Sequence, residues 1–577
     1  MIKIRQRKPL ADIQWPDTVH PLLQRIYSAR HVKQAGDIEL PLQKLLPPTG
    51  LKGLDAAVAL LAEAVKGQQQ IMIIGDFDAD GATSTALAIR VLTRMGAHNV
   101  SYLVPNRFEY GYGLTTGIVE EALKQKPDLI VTVDNGISNI EGVDFARAHG
   151  IKVLVTDHHL PGLQLPDADA IVNPNQADDQ FESKALAGVG VIFYVLSALR
   201  KHLRETGWFQ QQGISEPGMA DYLDIVALGT IADVVPLDRN NRILVSEGIR
   251  RIRAGRCVKG ITALLEAAQR NPARLVSADL GFAVGPRLNA AGRLDDMSVG
   301  IECLLSDDDS AYQFAYQLDS LNRERRTIET GMQSEALQYL EQIDLENQPV
   351  FGLSLYDKAW HQGVIGILAS RIKEKIHRPV IVFAPGDEGE IKGSGRSISG
   401  IHIRDALEAV ASQHPGLIRK FGGHAMAAGL TIADTDFDLF ANAFNQQIDV
   451  MSDKEILEAV VLTDGQLEND YFDMQTVELL EQAGPWGQAF PEPVFSGRFN
   501  VVNQQILKDR HIKLLLSPVD EKQDNRLLDG IVFNHFDGTE SEHEKQLPES
   551  VELVYKLAVN DFRGKQSLQL IIDHILH

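Results

Sequence analysis

Three short apolar runs, each ending in a cluster of acids, constrain this chain more than any other feature. They read IMIIGDFDADG at 71–81, LIVTVDNG at 129–136 and KVLVTDHH at 152–159. Runs of this length and content fit strands buried on both faces of a parallel sheet. Open parallel sheets build their sites in the crevice beyond the carboxyl ends of their strands. Three such ends deliver Asp76, Asp78, Asp80, Asp134, Asp157, His158 and His159 to one place. So many acids share a pocket only when cations neutralise them, which predicts a two-metal site for cutting phosphate esters.

The clusters differ in specificity. Asp76 and Asp78 stand two apart, so they share a face while the chain stays extended. Gly81 then allows a turn into a helix from about Ala82, whose N-terminus favours phosphate. A calcium loop of the EF-hand type needs a glutamate at its twelfth position, and counting from Asp76 that residue is Leu87. Asp134 before Asn-Gly is, alone, more often a turn former than a ligand; its weight comes from its company. In Asp157-His158-His159 one imidazole suits a metal, the other a phosphate, and Asp157 can fix a histidine tautomer. Asp233, in LGTIADVVPL, is an acid within an apolar segment and needs a partner.

Helix-sized and strand-sized segments alternate from residue 51, which indicates βαβ units. Helices are expected over 56–66, 82–95, 185–204 and 222–232, and strands over 71–74, 101–104, 129–133, 153–156 and 170–172. Residues 1–50 read as an arm and 51–305 as a doubly wound parallel-sheet α/β domain. Residues 306–346 read as a connecting helix, with the basic stretch Arg323, Arg325, Arg326 as a solvated face. A second, smaller α/β domain spans 347–450, with Gly-rich loops KGSGRSISG and FGGHAMAAG. Residues 455–577 resemble short strands joined by polar turns, a C-terminal β-barrel of OB type.

The net charge of −22 argues against a nucleic-acid binder, except that part of it belongs to the acid clusters and bound cations reverse its local sign. Two cysteines, Cys257 and Cys303, lack metal-type spacing and fit a reduced, cytoplasmic protein. No apolar stretch is long enough for a membrane span. No Gly-x-x-x-x-Gly-Lys-Ser/Thr motif points to an ATPase.

Taken in order, GDFDADGATSTA, VTVDNGIS, VTDHH, LGTIADVVPL, GPRLNAAGRLDD, SGRSISGIHIRDAL and FGGHAMAAGL resemble the DHH phosphoesterase superfamily, in its single-strand-specific exonuclease branch. The resemblance covers about 70–445, and the β-rich tail agrees with it. It implies that Asp76, Asp78, Asp134, His158 and Asp233 hold two Mn²⁺ or Mg²⁺ ions. It implies a catalytic set of His159, Asp157 and Asp80, with His159 on the scissile phosphate. Arg107, Arg287, Asn289, Ser394, Arg396, Gly422, Gly423 and His424 match substrate-binding positions. Tyr110 and Tyr112 read as packing beneath the arginine loop, or as base-stacking groups. The implied activity is hydrolysis of single-stranded DNA from its 5′ end to mononucleotides, in repair and recombination. The implied partners are a single-stranded-DNA-binding protein and a helicase, with the enzyme a monomer. A DHH phosphodiesterase of short oligonucleotides or cyclic dinucleotides is the alternative, and a non-catalytic scaffold a third reading.

Overall fold

The computed structural model describes the chain apart from residues 1–2, 11–12, 106–111, 343–349, 454, 509, 520–525, 537–545, 563 and 577. It divides into two units. One comprises residues 6–320 and 462–577, the other residues 1–5 and 321–461.

The first unit is built on five parallel strands. Their order across the sheet is Val100–Leu103, Ile71–Gly75, Leu129–Val133, Lys152–Thr156, Ala170–Val172. Every residue of Ile71–Gly75 and of Leu129–Val133 is buried, as helices on both faces require. The chain runs outward in one direction after the first strand and in the other after the second. The topological switch point therefore falls between Ile71–Gly75 and Leu129–Val133, where open α/β sheets place their sites.

The helix after the first strand covers Ala79–Arg94 and starts earlier than its expected start at Ala82. Asp78 is its N-cap: the carboxylate accepts Asp80 N at 2.9 Å and Gly81 N at 3.0 Å. Capping ends the extended chain at Asp78, so the alternation seen in sequence stops there. Gly81 is fixed by space as well, since a Cβ there would lie 2.3 Å from the Asp76 carbonyl oxygen.

In the same unit a closed barrel runs Phe495–Leu507, His511–Pro518, Leu528–Val532, Lys565–Leu576, Ser550–Phe562 and back to the first. Leu528–Val532 and Lys565–Leu576 pair in parallel; the other pairs are antiparallel. Tyr555, Phe495 and Phe499 fill its centre. Within the β-rich tail a helix, Met474–Gln482, precedes the barrel strands. The segment before this helix is held by a fully buried pair, Arg30 Nη1 to Asp464 Oδ1 at 2.7 Å.

The second unit has a mixed sheet in the order Lys420–Gly423, Ala427–Ala433, Glu390–Arg396, Val380–Pro385, Leu353–Tyr356, of which only the last two are parallel. Helix Ser310–Gln342 carries the chain from the first unit into the second. Within it Arg325 is not on a solvated face. It is buried and donates to Glu329 at 2.6 Å, whereas Arg323 and Arg326 are exposed. Among the described residues no helix is long and apolar enough to cross a membrane.

Candidate metal centre

The switch point gathers the acids. Ligand-capable atoms of Asp76, Asp78 and Asp134 lie within 4.8 Å of one another; so do those of Asp80, His158 and Asp233, and those of Asp134, His158 and His159. The three groups share members and form one continuous cluster. Asp134 follows its strand in the left-handed region, φ 62°, a conformation aspartate tolerates better than most residues. Asn135 braces that turn, donating to the carbonyls of Ile74 and Val133. Helix Gly188–Glu205 begins directly against it. A Cβ at Gly188 would stand 2.6 Å from that of Asp134, so only glycine lets the helix approach so closely.

His158 Nε2 lies 3.1 Å from Asp134 Oδ1 and 3.4 Å from Asp233 Oδ2. Asp134 Oδ1 and Asp233 Oδ2 are themselves buried and accept no hydrogen bond from the described residues. Buried carboxylate oxygens left this way are costly unless a cation takes them. The donor set of carboxylates with one imidazole suits hard or borderline divalent ions such as Mg²⁺ and Mn²⁺. The residues present therefore fit the cations that the sequence resemblance implies.

Electrostatics agree. Burial, then the charge of Asp80, pushes both Asp134 and Asp233 well above the ordinary carboxylate value of 3.8. Burial, then Asp78, pushes Asp80 up to about 7. A carboxyl whose folded pKa is raised keeps its proton when the unfolded chain has lost it. Stability of the cation-free protein then falls as pH rises from about 4 through about 7. Thermal melts in EDTA are expected to give a lower midpoint at pH 8 than at pH 5.5. Added Mn²⁺ should raise the midpoint more at pH 8. An equal Mn²⁺ effect at both values would contradict this origin of the coupling.

Asp80 braces the site from behind. Its oxygens accept Gly188 N at 2.6 Å and Val189 N at 2.9 Å, which caps the neighbouring helix. Asp157 likewise works through its neighbours: Oδ1 accepts His158 N, His159 N and His159 Nδ1 at 2.7, 3.0 and 2.8 Å, and Oδ2 accepts Ile137 N at 3.0 Å. Burial lowers the His159 pKa, but the hydrogen bond and charge of Asp157, with Asp76 and Asp78, outweigh it and lift it to about 9. His159 is one-third exposed and presents its ring to solvent beside Tyr112, whose hydroxyl lies 3.2 Å from Nδ1.

Two residues expected on the substrate are turned inward. Arg287 is buried; Nε donates to Asp319 at 3.0 Å and Nη1 to the Ala283 carbonyl at 2.6 Å, since a buried guanidinium needs a carboxylate. Asn289 Oδ1 accepts Ala79 N at 2.8 Å and so grips the acid loop. Arg107 and Tyr110 lie outside the described residues. In the second unit, Arg396 Nη1 donates to Ser394 Oγ at 3.1 Å and to the Gly395 carbonyl at 2.8 Å. Strand pairing sets Gly429 opposite both Ser394 and Gly422, and the strand carrying Gly422 and Gly423 leads to the exposed His424. The two Gly-rich segments expected as loops are thus largely paired strands of one sheet. The side chains that sequence reasoning missed are Asn173 and Asn175, whose only signal is an Asn-Pro-Asn directly after a fourth apolar run.

The chain matches the DHH family N-terminal domain over residues 70–230, the DHHA1 domain over 347–449 and the RecJ OB domain over 463–574. It is 54% identical over 572 residues to the single-stranded-DNA-specific exonuclease RecJ of Dickeya dadantii, covering 99% of this chain and 98% of the relative. It is 50% identical over 576 residues to that of Escherichia coli, covering 100% and 99%. Its structure resembles the crystal structure of Thermus thermophilus RecJ in complex with Mn²⁺, with a TM-score of 0.79 and 30% identity, over 100% of this chain and 79% of that one. The Mg²⁺ complex gives a TM-score of 0.73 at 29% identity, over 99% and 78%. With the acid cluster at the sheet's switch point, both α/β domains and the barrel all accounted for, the chain belongs to the RecJ family of the DHH superfamily.

Proposed function

We propose that this protein is a metal-dependent exonuclease that degrades single-stranded DNA from its 5′ end to 5′-mononucleotides, in DNA repair and recombination. The carrying observation is the convergence of Asp76, Asp78, Asp134, His158 and Asp233, with Asp134 Oδ1 and Asp233 Oδ2 buried and accepting no hydrogen bond from the described residues. The names of its relatives, single-stranded-DNA-specific exonucleases, support the substrate.

Asp76, Asp78, Asp134, His158 and Asp233 hold two Mn²⁺ or Mg²⁺ ions. The chemistry a bound cation pair supplies is Lewis acidity toward water and phosphate oxygen. His159, kept cationic by Asp157, donates a charge-assisted hydrogen bond to the scissile phosphate. Asp80 and Asn289 keep the acid loop in place against the groups they bind. Ser394 and Arg396 take the 5′-terminal phosphate, with Arg107, His424 and the Gly422–Gly423 backbone as further contacts to the strand. The two cysteines are free, in keeping with a cytoplasmic protein. A monomer is the working form. Its substrate exists only where a duplex has been opened, so a helicase and a single-stranded-DNA-binding protein are its partners.

The test uses 5′- and 3′-labelled oligonucleotides, single and double stranded, with Mn²⁺, Mg²⁺ or EDTA. Metal-dependent release of mononucleotides from the 5′ end of single strands is expected. Activity confined to fragments of a few nucleotides would favour the short-oligonucleotide alternative, and binding without cleavage would favour a scaffold. In the same assay Arg396→Ala should lower kcat/KM on 5′-phosphorylated ends about tenfold, the scale of a lost charge-assisted bond. Ends without the phosphate should change little. Equal loss on both substrates would remove this role.

A further inference from the structure

The loop after the last strand of the parallel sheet closes over both histidines. Ala170–Val172 runs parallel to Lys152–Thr156, so the ends of the two strands lie side by side. Asp157-His158-His159 follows one strand and Asn173-Pro174-Asn175 the other. Asn175 Nδ2 donates to the His158 carbonyl at 2.6 Å, and Asn173 Nδ2 to the His159 carbonyl at 2.9 Å. Asn173 Oδ1 accepts Asn175 N at 2.7 Å, and Gln176 Nε2 donates to the Asn173 carbonyl at 3.3 Å. Asn173 and Gln176 are buried, and Pro174 fixes the backbone between the two amides. His158 and His159 lie outside any helix or strand, so no ladder fixes these carbonyls, and the two carboxamides do so instead.

We propose that Asn175 is a positioning residue for the cation site. By holding the His158 carbonyl it fixes the imidazole whose Nε2 faces Asp134 and Asp233, and so sets the affinity for a divalent cation. The inference rests on the reading of His158 as a cation ligand. Outer partners of metal ligands are worth about 10–100-fold in affinity. Asn173 does the same for His159, but it also anchors Asn175, so Asn175 is the cleaner position to change.

The experiment is Mn²⁺ titration of the full chain, read by the electron paramagnetic resonance of free Mn²⁺, for wild type, Asn175→Ala, Asn175→Asp and Asp76→Ala. Melting in EDTA monitors the fold. Asn175→Ala should weaken Mn²⁺ binding about tenfold with an EDTA midpoint near wild type. Asn175→Asp discriminates more sharply. Its added negative charge would by itself tighten cation binding, whereas a carboxylate facing the His158 carbonyl loosens the brace and should weaken it. Being isosteric, it decides the matter even if the alanine variant fails to fold. Wild-type affinity in Asn175→Ala, or tighter binding in Asn175→Asp, with binding lost in Asp76→Ala, would overturn the brace alone. Wild-type affinity in Asp76→Ala would overturn the cation reading itself.

Discussion

Asp134→Asn is expected to cripple cleavage and at the same time to make the cation-free protein harder to melt. The two effects have one cause. Asp134 is buried, and Asp80, Asp78, Asp233 and Asp76 add to burial in raising its pKa. Its Oδ1 accepts no hydrogen bond from the described residues. Without cations, an ionised carboxylate there is a cost of folding; asparagine keeps the shape and removes the charge. With cations the same charge holds the site together, and losing it should lower kcat about 10³-fold, the upper range for one preorganised electrostatic element. Each kcal/mol gained by removing the repulsion raises the midpoint by about 1 °C in a unit of this size. Melting in EDTA at pH 8 and a single-strand cleavage assay in Mn²⁺ check both halves. A lower EDTA midpoint would mean that Asp134 holds the fold by a contact other than those described.

The strands of the catalytic sheet were legible because a parallel sheet covered on both faces leaves no polar alternation to blur the pattern. Ile71–Gly75, Leu129–Val133 and Lys152–Thr156 extend at most one residue beyond their expected bounds. The site followed from the same logic, since acids at strand ends need no tertiary detail to be brought together. What stayed hidden was the direction in which a polar side chain turns. Asp78 looks like one more acid of an extended run, yet it caps a helix as well. Asp80 looks like its twin, yet both of its oxygens meet the start of a helix more than 100 residues away in sequence. Arg287 and Arg325 carry the same charge as a phosphate-binding arginine, and nothing local reveals that Asp319 and Glu329 await them. Asn173 and Asn175 are harder still. A neutral amide that supports a ligand through backbone carbonyls leaves no charge pattern, so only coordinates reveal it.

Asp157→Asn should be nearly as damaging as loss of a cation ligand, by a different route. The carboxylate spends Oδ1 on three N–H donors of the histidine pair and Oδ2 on Ile137 N. An asparagine has only one acceptor oxygen. If that oxygen faces the histidines, the new NH₂ meets the Ile137 donor; if it is flipped, the NH₂ meets three donors. Either way a buried donor is left without an acceptor, and His159 loses the charge that most favours its protonated ring. The sign of the pH effect follows. His159 has its folded pKa raised from 6.5 to about 9. The stability it contributes is fully present below about pH 6.5 and is lost as pH rises through about 9. The midpoint difference between wild type and Asp157→Asn should therefore be larger at pH 6 than at pH 9.5. Turnover at pH 7.5 should fall about 10²–10⁴-fold, the range for a positioned proton-bearing group. Affinity for Mn²⁺ should change far less, because His158 keeps its carbonyl bond to Asn175 and its place beside Asp134. If Asp157→Asn instead lost Mn²⁺ in proportion to turnover, Asp157 would be acting on the cations and not through His159.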